Sequence, residues 1–244
     1  DDLRWDNRYE SISDEMHDYN LEQLRKKESE IIVKMNGILI SQHDLLTLTG
    51  LRWLNDQIIE FYLQMVANRS KEESFKKLRF PSLYPMNTYF FTRLCLGGYE
   101  KVKNWTKNVD IFSYDMLCIP VHHMDIHWAV IIVDFRVPGV FYYDSLRGED
   151  EDVILAKSFL SQIINYLKEE YMDKKNLQLD LSKYVKEVVD SCPQQENGSD
   201  CGLFVCKVVE YLSRDVQLKF TQNDMPYFRQ RMIWEIGNNL LKST

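Results

Sequence analysis

Residues 201–212 form the stretch that most limits how this chain can fold. The run CGLFVCKVVEYL has few polar positions, and a helix that is apolar on nearly every side is stable only inside a core. The start of this helix, at Cys201, is therefore expected deep in the fold. A chain of 244 residues, 45% of them hydrophobic and 13% aromatic, can bury such a helix in one sizeable domain.

Four strands are predicted after residue 115. They are the apolar runs MLCIPVHH (116–123), HWAVIIVDF (127–135) and GVFYYDS (139–145), followed by YVKEVVDS (184–191). The second and third runs are joined through Pro138-Gly139, which predicts a β-hairpin. Helical patterns cover 56–68, 150–175 and 201–212, a short one falls within 99–112, and a last helix begins directly before Pro226. Helices and strands interleave without a strict βαβ repeat, so the predicted class is α+β.

Residues 1–36 differ in composition from the rest of the chain. They are charged and polar, with a thin apolar stripe formed by Leu21, Leu24, Ile31 and Ile32. This pattern predicts a charged helical arm that packs on the domain. Residues 37–244 are then expected to form a single domain.

Charge and cysteine usage exclude some classes of protein. The net charge of −7, from 30 basic and 37 acidic residues, argues against nucleic acid as a primary partner. The five cysteines are an odd, widely spread set without a signal-peptide pattern at the start, which predicts a reduced, intracellular setting. The longest apolar stretches, such as WAVIIVDF, are too short to cross a bilayer, so no membrane span is expected.

The position of Cys201 at a predicted helix start is chemically suggestive. Unpaired backbone N–H groups and the positive end of the helix dipole stabilise a thiolate at such a position, and a thiolate is a nucleophile. The alternative is that Cys201 is a small, inert core residue.

A nucleophilic thiol needs a base, and His127 is the best candidate because it opens a predicted strand. In the predicted hairpin, odd positions of the first strand oppose even positions of the second, so His127 and Asp144 share a face. The simplest register places Asp144 opposite Ile131, four residues or roughly 13 Å along the strand from His127. A structural histidine and a turn-forming aspartate are the alternatives at these two positions.

Five segments together resemble the cysteine proteases that process and remove SUMO, the Ulp or sentrin-specific protease family. The segments are IHWAVIIVDF, YYDS, PQQENGSDCGLFVCK, LRWLNDQIIEFYLQMV and FTQNDMPYFRQRMIWEI, and the resemblance runs from about Thr47 to Leu241. It implies a papain-like cysteine protease fold, with a central mixed β-sheet flanked by helices. The catalytic residues follow in the chain order His, Asp, Cys.

The resemblance also implies a role for each candidate residue. His127 is the general base, Asp144 orients it, Cys201 attacks the substrate, and Gln195 helps to form the oxyanion hole. The implied reaction is cleavage after the C-terminal Gly-Gly of SUMO, both to mature precursors and to release SUMO from lysines. Neither a cofactor nor a metal is required.

Five further residues are implied to bind the substrate tail. Trp53 and Trp128 resemble the pair that roofs a narrow tunnel for the Gly-Gly tail, and the positions that line the approach are Asp56, Tyr89 and His122. The spacing of VHHMDIHW leaves His123 as an alternative to His122, and Tyr89 stands where phenylalanine is usual in the family.

Partners and setting follow from the same resemblance. SUMO or SUMO-conjugated proteins are the expected partners of a monomeric enzyme in the nucleus or at the nuclear envelope. Because the chain begins with Asp1 and not with methionine, we expect an excised region of a longer protein or a processed chain.

Three other functions are compatible with parts of the pattern. Cys192, Cys201 and Cys206 with the histidines at 122, 123 and 127 could serve a zinc-binding module, although Cys201 and Cys206 would point about 140° apart on one helix. The fold could also be a catalytically silent binder of a ubiquitin-like protein. Finally, the enzyme could act on another ubiquitin-like modifier, since a triad does not select the folded partner.

Overall fold

The computed structural model of the protein describes residues 9, 11–72, 78–146 and 148–242. The chain divides into two compact units, which we describe separately. One unit comprises residues 81–192, and the other comprises residues 1–80 together with 193–244. Both contain helices and strands, and the predicted α+β class is confirmed.

The unit of residues 81–192 is built on a five-stranded mixed sheet. Its strands, in spatial order, are β3 (Leu83–Pro85), β4 (Met116–His123), β5 (His127–Asp134), β6 (Gly139–Tyr143) and β7 (Val185–Val188). Strands β4, β5 and β6 are antiparallel neighbours, whereas β3 runs parallel to β4 and β7 runs parallel to β6. The predicted central strands therefore exist, and β3 is an additional short strand.

The β5–β6 hairpin has the predicted parity, but the simplest register was wrong. Ile131 pairs with Tyr142, and Asp134 pairs with Gly139, which leaves a four-residue loop. The Asp134 carboxylate stabilises this longer loop because its Oδ1 accepts the backbone N–H of Arg136 at 2.9 Å. Continued by one residue, the observed register brings Asp144 opposite Ala129, two positions closer to His127 than the simplest register does.

One face of the sheet is covered by the helices α4 (Phe90–Gly97) and α5 (Asp150–Lys175). The odd-numbered positions of β5, from Ala129 to Val133, point into this core and meet apolar side chains of α5 such as Leu160 and Ile163. Each buried Ile, Leu or Val side chain contributes about 1.5–3 kcal/mol relative to exposure. His127 and Tyr142 lie on the same face, so α5 fixes the side of the sheet on which the candidate base stands. The helix predicted within 99–112 is reduced to two 3₁₀ turns, Tyr99–Lys101 and Ile111–Ser113.

The other unit is mainly helical. Its elements are α1 (Asp14–Leu24), β1 (Ile31–Met35), β2 (Ile38–Ser41), α2 (Gln42–Leu46), α3 (Asp56–Arg69), α6 (Cys201–Leu212) and α7 (Met225–Asn238). Helix α6 packs against α3 and α7, and every residue from Cys201 to Tyr211 is buried. The prediction of an enclosed, nearly all-round apolar helix is confirmed.

The N-terminal segment is only partly helical. The predicted arm covered residues 1–36, of which residues 1–8 and 10 lie outside the described residues. Helix α1 packs on α7, where the Asn20 side chain donates to the backbone oxygen of Gln230 at 2.9 Å. Ile31 and Ile32 belong to strand β1 and not to a helix, because Asn36 and Gly37 form a tight turn with φ values of 50° and 85°. None of the helices in the described ranges is long and apolar enough to span a membrane.

Candidate active site

His127 and Asp144 form a direct hydrogen-bonded pair. His127 is the first residue of β5, Asp144 directly follows β6, and the distance from Nε2 of His127 to Oδ1 of Asp144 is 2.7 Å. A carboxylate only accepts hydrogen bonds, so the imidazole donates through Nε2. In the neutral ring the lone pair then lies on Nδ1, which is the basic nitrogen of this tautomer.

Among the contacts that the structure describes, three donors hold the Asp144 carboxylate. Besides His127, the backbone N–H of Leu146 donates to Oδ1 at 2.9 Å, and the Tyr142 hydroxyl donates to Oδ2 at 3.0 Å. Burial and the neighbouring Asp144 charge raise the pKa of Tyr142 far above its usual value, so the phenol keeps the proton it donates. The contact with Leu146 is a turn-type hydrogen bond, so Asp144 both starts a turn and orients the base.

Sequence reasoning missed Tyr142 as part of this group. Its position on β6, two residues before Asp144, was the available signal, because residues two apart in extended chain share a face of a sheet. Tyr142 is only 6% exposed, so its hydroxyl needs a partner inside the fold.

His122 and Trp128 form a second contact at the same end of the sheet. They lie directly opposite each other on β4 and β5, and their rings stack with centroids 4.1 Å apart and planes 11° apart. His123 points to the other face, where its ring meets the edge of Phe159 on α5. Within the sheet, His122 and not His123 therefore supports Trp128.

Cys201 and Gln195 belong to the other unit. Cys201 is the first residue of α6, as predicted, and is 3% exposed. The carbonyl of Asp200 accepts the N–H of Phe204 at 2.9 Å, which closes the first turn, and the N–H groups of that turn point toward the N-terminal end of the helix, where the thiol lies. This is the position at which a helix stabilises a negative charge.

The loop before Cys201 is held together by Asn197, a residue that sequence reasoning did not select. Its Oδ1 accepts the backbone N–H groups of Ser199 and Asp200 at 3.0 and 3.1 Å. The backbone oxygen of Asn197 accepts a hydrogen bond from Nε2 of Gln195 at 2.5 Å. Gln195 is 8% exposed, so its amide is held in a defined orientation inside the loop.

The other candidate substrate-binding residues lie at element starts. Asp56 begins α3, whose N-cap Asn55 accepts the N–H of Ile58 at 3.0 Å. Tyr89 directly precedes α4, and both it and Trp53 are exposed, at 56% and 50%. Both rings therefore present much of their surface to solvent.

Two of the other four cysteines differ in environment from Cys201. Cys206 is fully buried on the same helix, and burial raises the pKa of its thiol to about 12. Cys95 is exposed and contacts Gln162, and partial burial raises the pKa of its thiol. Within the described residues, no group of three His, Cys, Asp or Glu side chains is arranged to hold a metal ion.

Comparison with known families decides the assignment. The sequence profile of the Ulp1 protease family, C-terminal catalytic domain, matches residues 52–243. The chain belongs to this family. A sentrin-specific protease from Caenorhabditis elegans is 39% identical over 88% of this chain, and human sentrin-specific protease 2 is 35% identical over 86% of it.

A solved structure supports the same conclusion. The C-terminal Ulp1 protease domain, in complex with Smt3, the yeast ortholog of SUMO, superposes with a TM-score of 0.77 at 28% identity. The match covers 93% of this chain and 96% of that chain. The predicted family and papain-like fold of the Ulp1 proteases are thereby confirmed. The chain spans about a third of the length of the curated relatives, 29% of the Caenorhabditis elegans protein and 34% of the human one.

Proposed function

We propose that this chain is a SUMO-specific cysteine endopeptidase and isopeptidase. The observation that carries the proposal is the His127–Asp144 hydrogen bond, which lies within the residues matched by the Ulp1 family profile and supports a base and an orienting carboxylate. The relatives named as sentrin-specific proteases, and the Ulp1 domain solved with Smt3, support SUMO as the modifier.

The proposed reaction begins with the thiol of Cys201. Nδ1 of His127 takes the thiol proton, and the resulting thiolate attacks the carbonyl carbon of the last SUMO glycine. The oxyanion that forms is bound by the Gln195 amide and the backbone N–H of Cys201. Collapse of the intermediate forms a thioester, and the imidazolium gives its proton to the leaving amine. Water then hydrolyses the thioester with His127 again acting as the base.

Asp144 serves this cycle by holding the ring. Its hydrogen bond fixes Nε2 as the protonated nitrogen and stabilises the imidazolium that forms during transfer. The leaving amine is the α-amine of a precursor extension or the ε-amine of a substrate lysine. Both maturation and deconjugation therefore follow from one mechanism.

We propose that the tail of SUMO is recognised by the aromatic residues. Trp53 and Trp128 enclose the Gly-Gly segment, and its approach is lined by Asp56, Tyr89 and His122. The stacking of His122 on Trp128 supports this, because it fixes the indole at the end of β5 beside His127. A monomeric enzyme acting in the nucleus or at the nuclear envelope, with residues 37–244 as its catalytic domain, completes the proposal.

Cleavage of a modifier panel tests the function. The purified chain is incubated with a SUMO precursor, a SUMO–lysine conjugate, ubiquitin and a second ubiquitin-like protein, each ending in a cleavable reporter. We expect rapid release from both SUMO substrates, and Cys201→Ser should abolish it while still binding the conjugate. Cys206→Ser, a change of a buried cysteine on the same helix, should keep kcat. Faster cleavage of another modifier would replace SUMO in the proposal, and binding without cleavage by the wild type would make the chain a silent binder.

A further inference from the structure

Asp200, the residue directly before Cys201, does not cap the helix it precedes. It is 1% exposed at the N-cap position of α6, yet its carboxylate makes no capping hydrogen bond with the described first turn. Its Oδ1 instead accepts hydrogen bonds from Nε and Nη2 of Arg229 at 2.9 and 2.6 Å. Its Oδ2 accepts hydrogen bonds from the side-chain amides of Asn197 and Gln222 at 2.7 and 2.8 Å.

This diversion matters for the chemistry at the helix start. An N-cap aspartate usually accepts the N–H groups of the second or third helical residue and neutralises the positive end of the helix. Burial alone would raise the pKa of Asp200, but the hydrogen bonds from Asn197, Gln222 and Arg229 outweigh it and lower that pKa. The carboxylate thus remains charged, and Arg229 both compensates its charge and turns it away from the backbone N–H groups beside Cys201.

Arg229 also holds a second segment of the same unit. Its Nη1 donates to the backbone oxygen of Thr47 at 3.0 Å, and its Nη2 donates to that of Arg52 at 2.8 Å. Arg52 directly precedes Trp53, so a guanidinium on α7 joins the loop that carries the nucleophile to the loop that carries an aromatic candidate for tail binding. The planar fork of arginine satisfies these partners together, which a lysine cannot do.

We propose that Arg229 is a positioning residue. Its ion pair with Asp200 fixes the position of Cys201, and its hydrogen bond to the Arg52 carbonyl fixes the position of Trp53. The inference rests on the proposed function, because it assigns Trp53 to the substrate tail. Stability alone is a weak reason to keep such a pair, since a buried ion pair gains little over a well-packed apolar contact.

The same helix supplies a matched control. Arg231 is 5% exposed, like Arg229 at 4%, and it pairs with Glu235 at 2.8 Å and with the backbone oxygen of Lys242 at 2.7 Å. These partners lie on α7 and at the end of the chain, not in the loops of residues 47–53 or 195–200. Replacing Arg231 removes a buried guanidinium without touching either loop.

The test distinguishes the effect of Arg229 on Cys201, through Asp200, from its effect on Trp53, through Arg52. Asp200→Asn retains one acceptor for Arg229 but opposes the amide donors of Asn197 and Gln222, so only the nucleophile loop is disturbed. We expect kcat and the rate of Cys201 alkylation by iodoacetamide in the free enzyme to fall together by about tenfold, a fraction of the about hundredfold cost of a 1 Å displacement. The KM for a SUMO reporter substrate should stay within about twofold, because the Trp53 loop keeps its contacts.

Arg229→Gln should show both effects, a lower kcat and a KM raised by about fivefold or more, on the order of 1 kcal/mol of lost binding. Arg229→Lys, which keeps the charge and is the safer variant for folding, should give the same pattern with smaller changes. Arg231→Gln should lower Tm while leaving kcat, KM and alkylation unchanged. Equal kinetic changes in Arg231→Gln and Arg229→Gln, or unchanged alkylation in both Asp200→Asn and Arg229→Lys, would overturn the inference. Alkylation needs no substrate, so it tests the effect on Cys201 through Asp200 even if the wild type proves not to cleave SUMO.

Discussion

The Tyr142 hydroxyl donates a hydrogen bond at 3.0 Å to Oδ2 of Asp144, whereas His127 donates to Oδ1 of the same carboxylate. The phenol thereby limits rotation of the carboxylate that orients the base. Tyr142→Phe removes this hydroxyl and leaves the buried ring in place, so the fold should be retained. A hydrogen bond to a charged group contributes about 1.5–3 kcal/mol, and we expect part of it to appear as a kcat lowered by about three- to tenfold.

Tyr143→Phe is the matched control for this change. Tyr143 is the next residue on β6 and points to the opposite face of the sheet, and burial raises the pKa of its phenol to about 12. We expect its kcat to equal that of the wild type. Steady-state kinetics on a SUMO reporter substrate decide the matter, and indistinguishable kcat values for Tyr142→Phe and the wild type would remove Tyr142 from the orienting group.

The elements that the sequence predicted well are those with a one-dimensional signature. The predicted bounds of β4, β5 and the helix that begins at Cys201 lie within one residue of the observed ones. An element that is buried on all sides needs apolar residues at nearly every position, and such a continuous run is easy to recognise in a sequence. The β1–β2 hairpin was missed because β1 lies at the end of the segment that was interpreted as a helical arm, although the Asn36-Gly37 turn carried the signal.

Relationships that depend on loop geometry or on distant contacts were harder to foresee. Parity placed His127 and Asp144 on one face, but their contact depends on the four-residue loop that Asp134 stabilises. The Asp200–Arg229 pair joins residues 29 positions apart, and no local pattern marks either as a partner of the other. Such polar contacts are specified by tertiary packing, which leaves little periodic trace in a sequence.

A buried ion cluster makes the stability of the enzyme sensitive to acid. The Glu210 carboxylate lies 2.6 Å from Nη1 of Arg69 and 2.8 Å from Nε of Arg214. Burial alone would raise the pKa of Glu210, but the charges of Arg214 and Arg69 lower it well below its usual value. The pair therefore stabilises the fold fully above the unfolded-state pKa of about 4.3, and this contribution is lost as the pH falls through the folded-state pKa.

Glu210→Gln should lower the free energy of unfolding by about 3–5 kcal/mol at neutral pH, because it leaves two buried guanidinium groups without their carboxylate. The difference from the wild type should shrink as the pH is lowered below about 4. Urea denaturation at several pH values measures both effects. Glu30→Gln, in the exposed Lys26–Glu30 pair, should cost less than about 1 kcal/mol. A Glu210→Gln deficit that persists undiminished in acid would show that packing and not charge accounts for it.

The stacking of His122 on Trp128 predicts which of two adjacent histidines matters for the tail. His122→Ala removes the ring that covers the indole, so Trp128 gains freedom, and kcat/KM for a SUMO reporter substrate should fall by about tenfold, a loss of about 1.4 kcal/mol. His123→Ala removes a ring that packs against Phe159 on the α5 side of the sheet, away from Trp128. This change should lower Tm more than it lowers kcat/KM. If His123→Ala lowered kcat/KM more than His122→Ala, the residue assigned to the tail would be His123.

The last prediction concerns why the substrate tail ends in two glycines. Trp128 is 7% exposed and stacks on His122, whereas Trp53 is 50% exposed. In the proposed tunnel, Trp128 is therefore the fixed side and Trp53 is the side exposed to solvent. Replacing the final glycine of SUMO with alanine adds one methyl group, which in an open groove alters discrimination by about 1–3 kcal/mol at most. In a closed tunnel the methyl also displaces the scissile carbonyl from Cys201, and a displacement of about 1 Å costs about a hundredfold in rate.

We therefore expect Gly→Ala in the tail to lower kcat by about a thousandfold or more in the wild type, because the cost of the displaced carbonyl adds to that of the methyl group and the total exceeds the open-groove range. Trp53→Ala removes the exposed side of the tunnel at little cost in stability, and it should slow cleavage of the glycine tail while narrowing the difference between the two substrates. Trp128→Ala is the less informative variant, because it also removes a buried side chain stacked on β4. The four kcat values, for two enzymes and two tails, form a cycle whose coupling energy measures the contact between Trp53 and the added methyl. If the wild type and Trp53→Ala discriminate equally between the two tails, Trp53 is not the residue that requires glycine. If the wild type cleaves both tails at nearly equal rates, specificity lies in the folded part of SUMO.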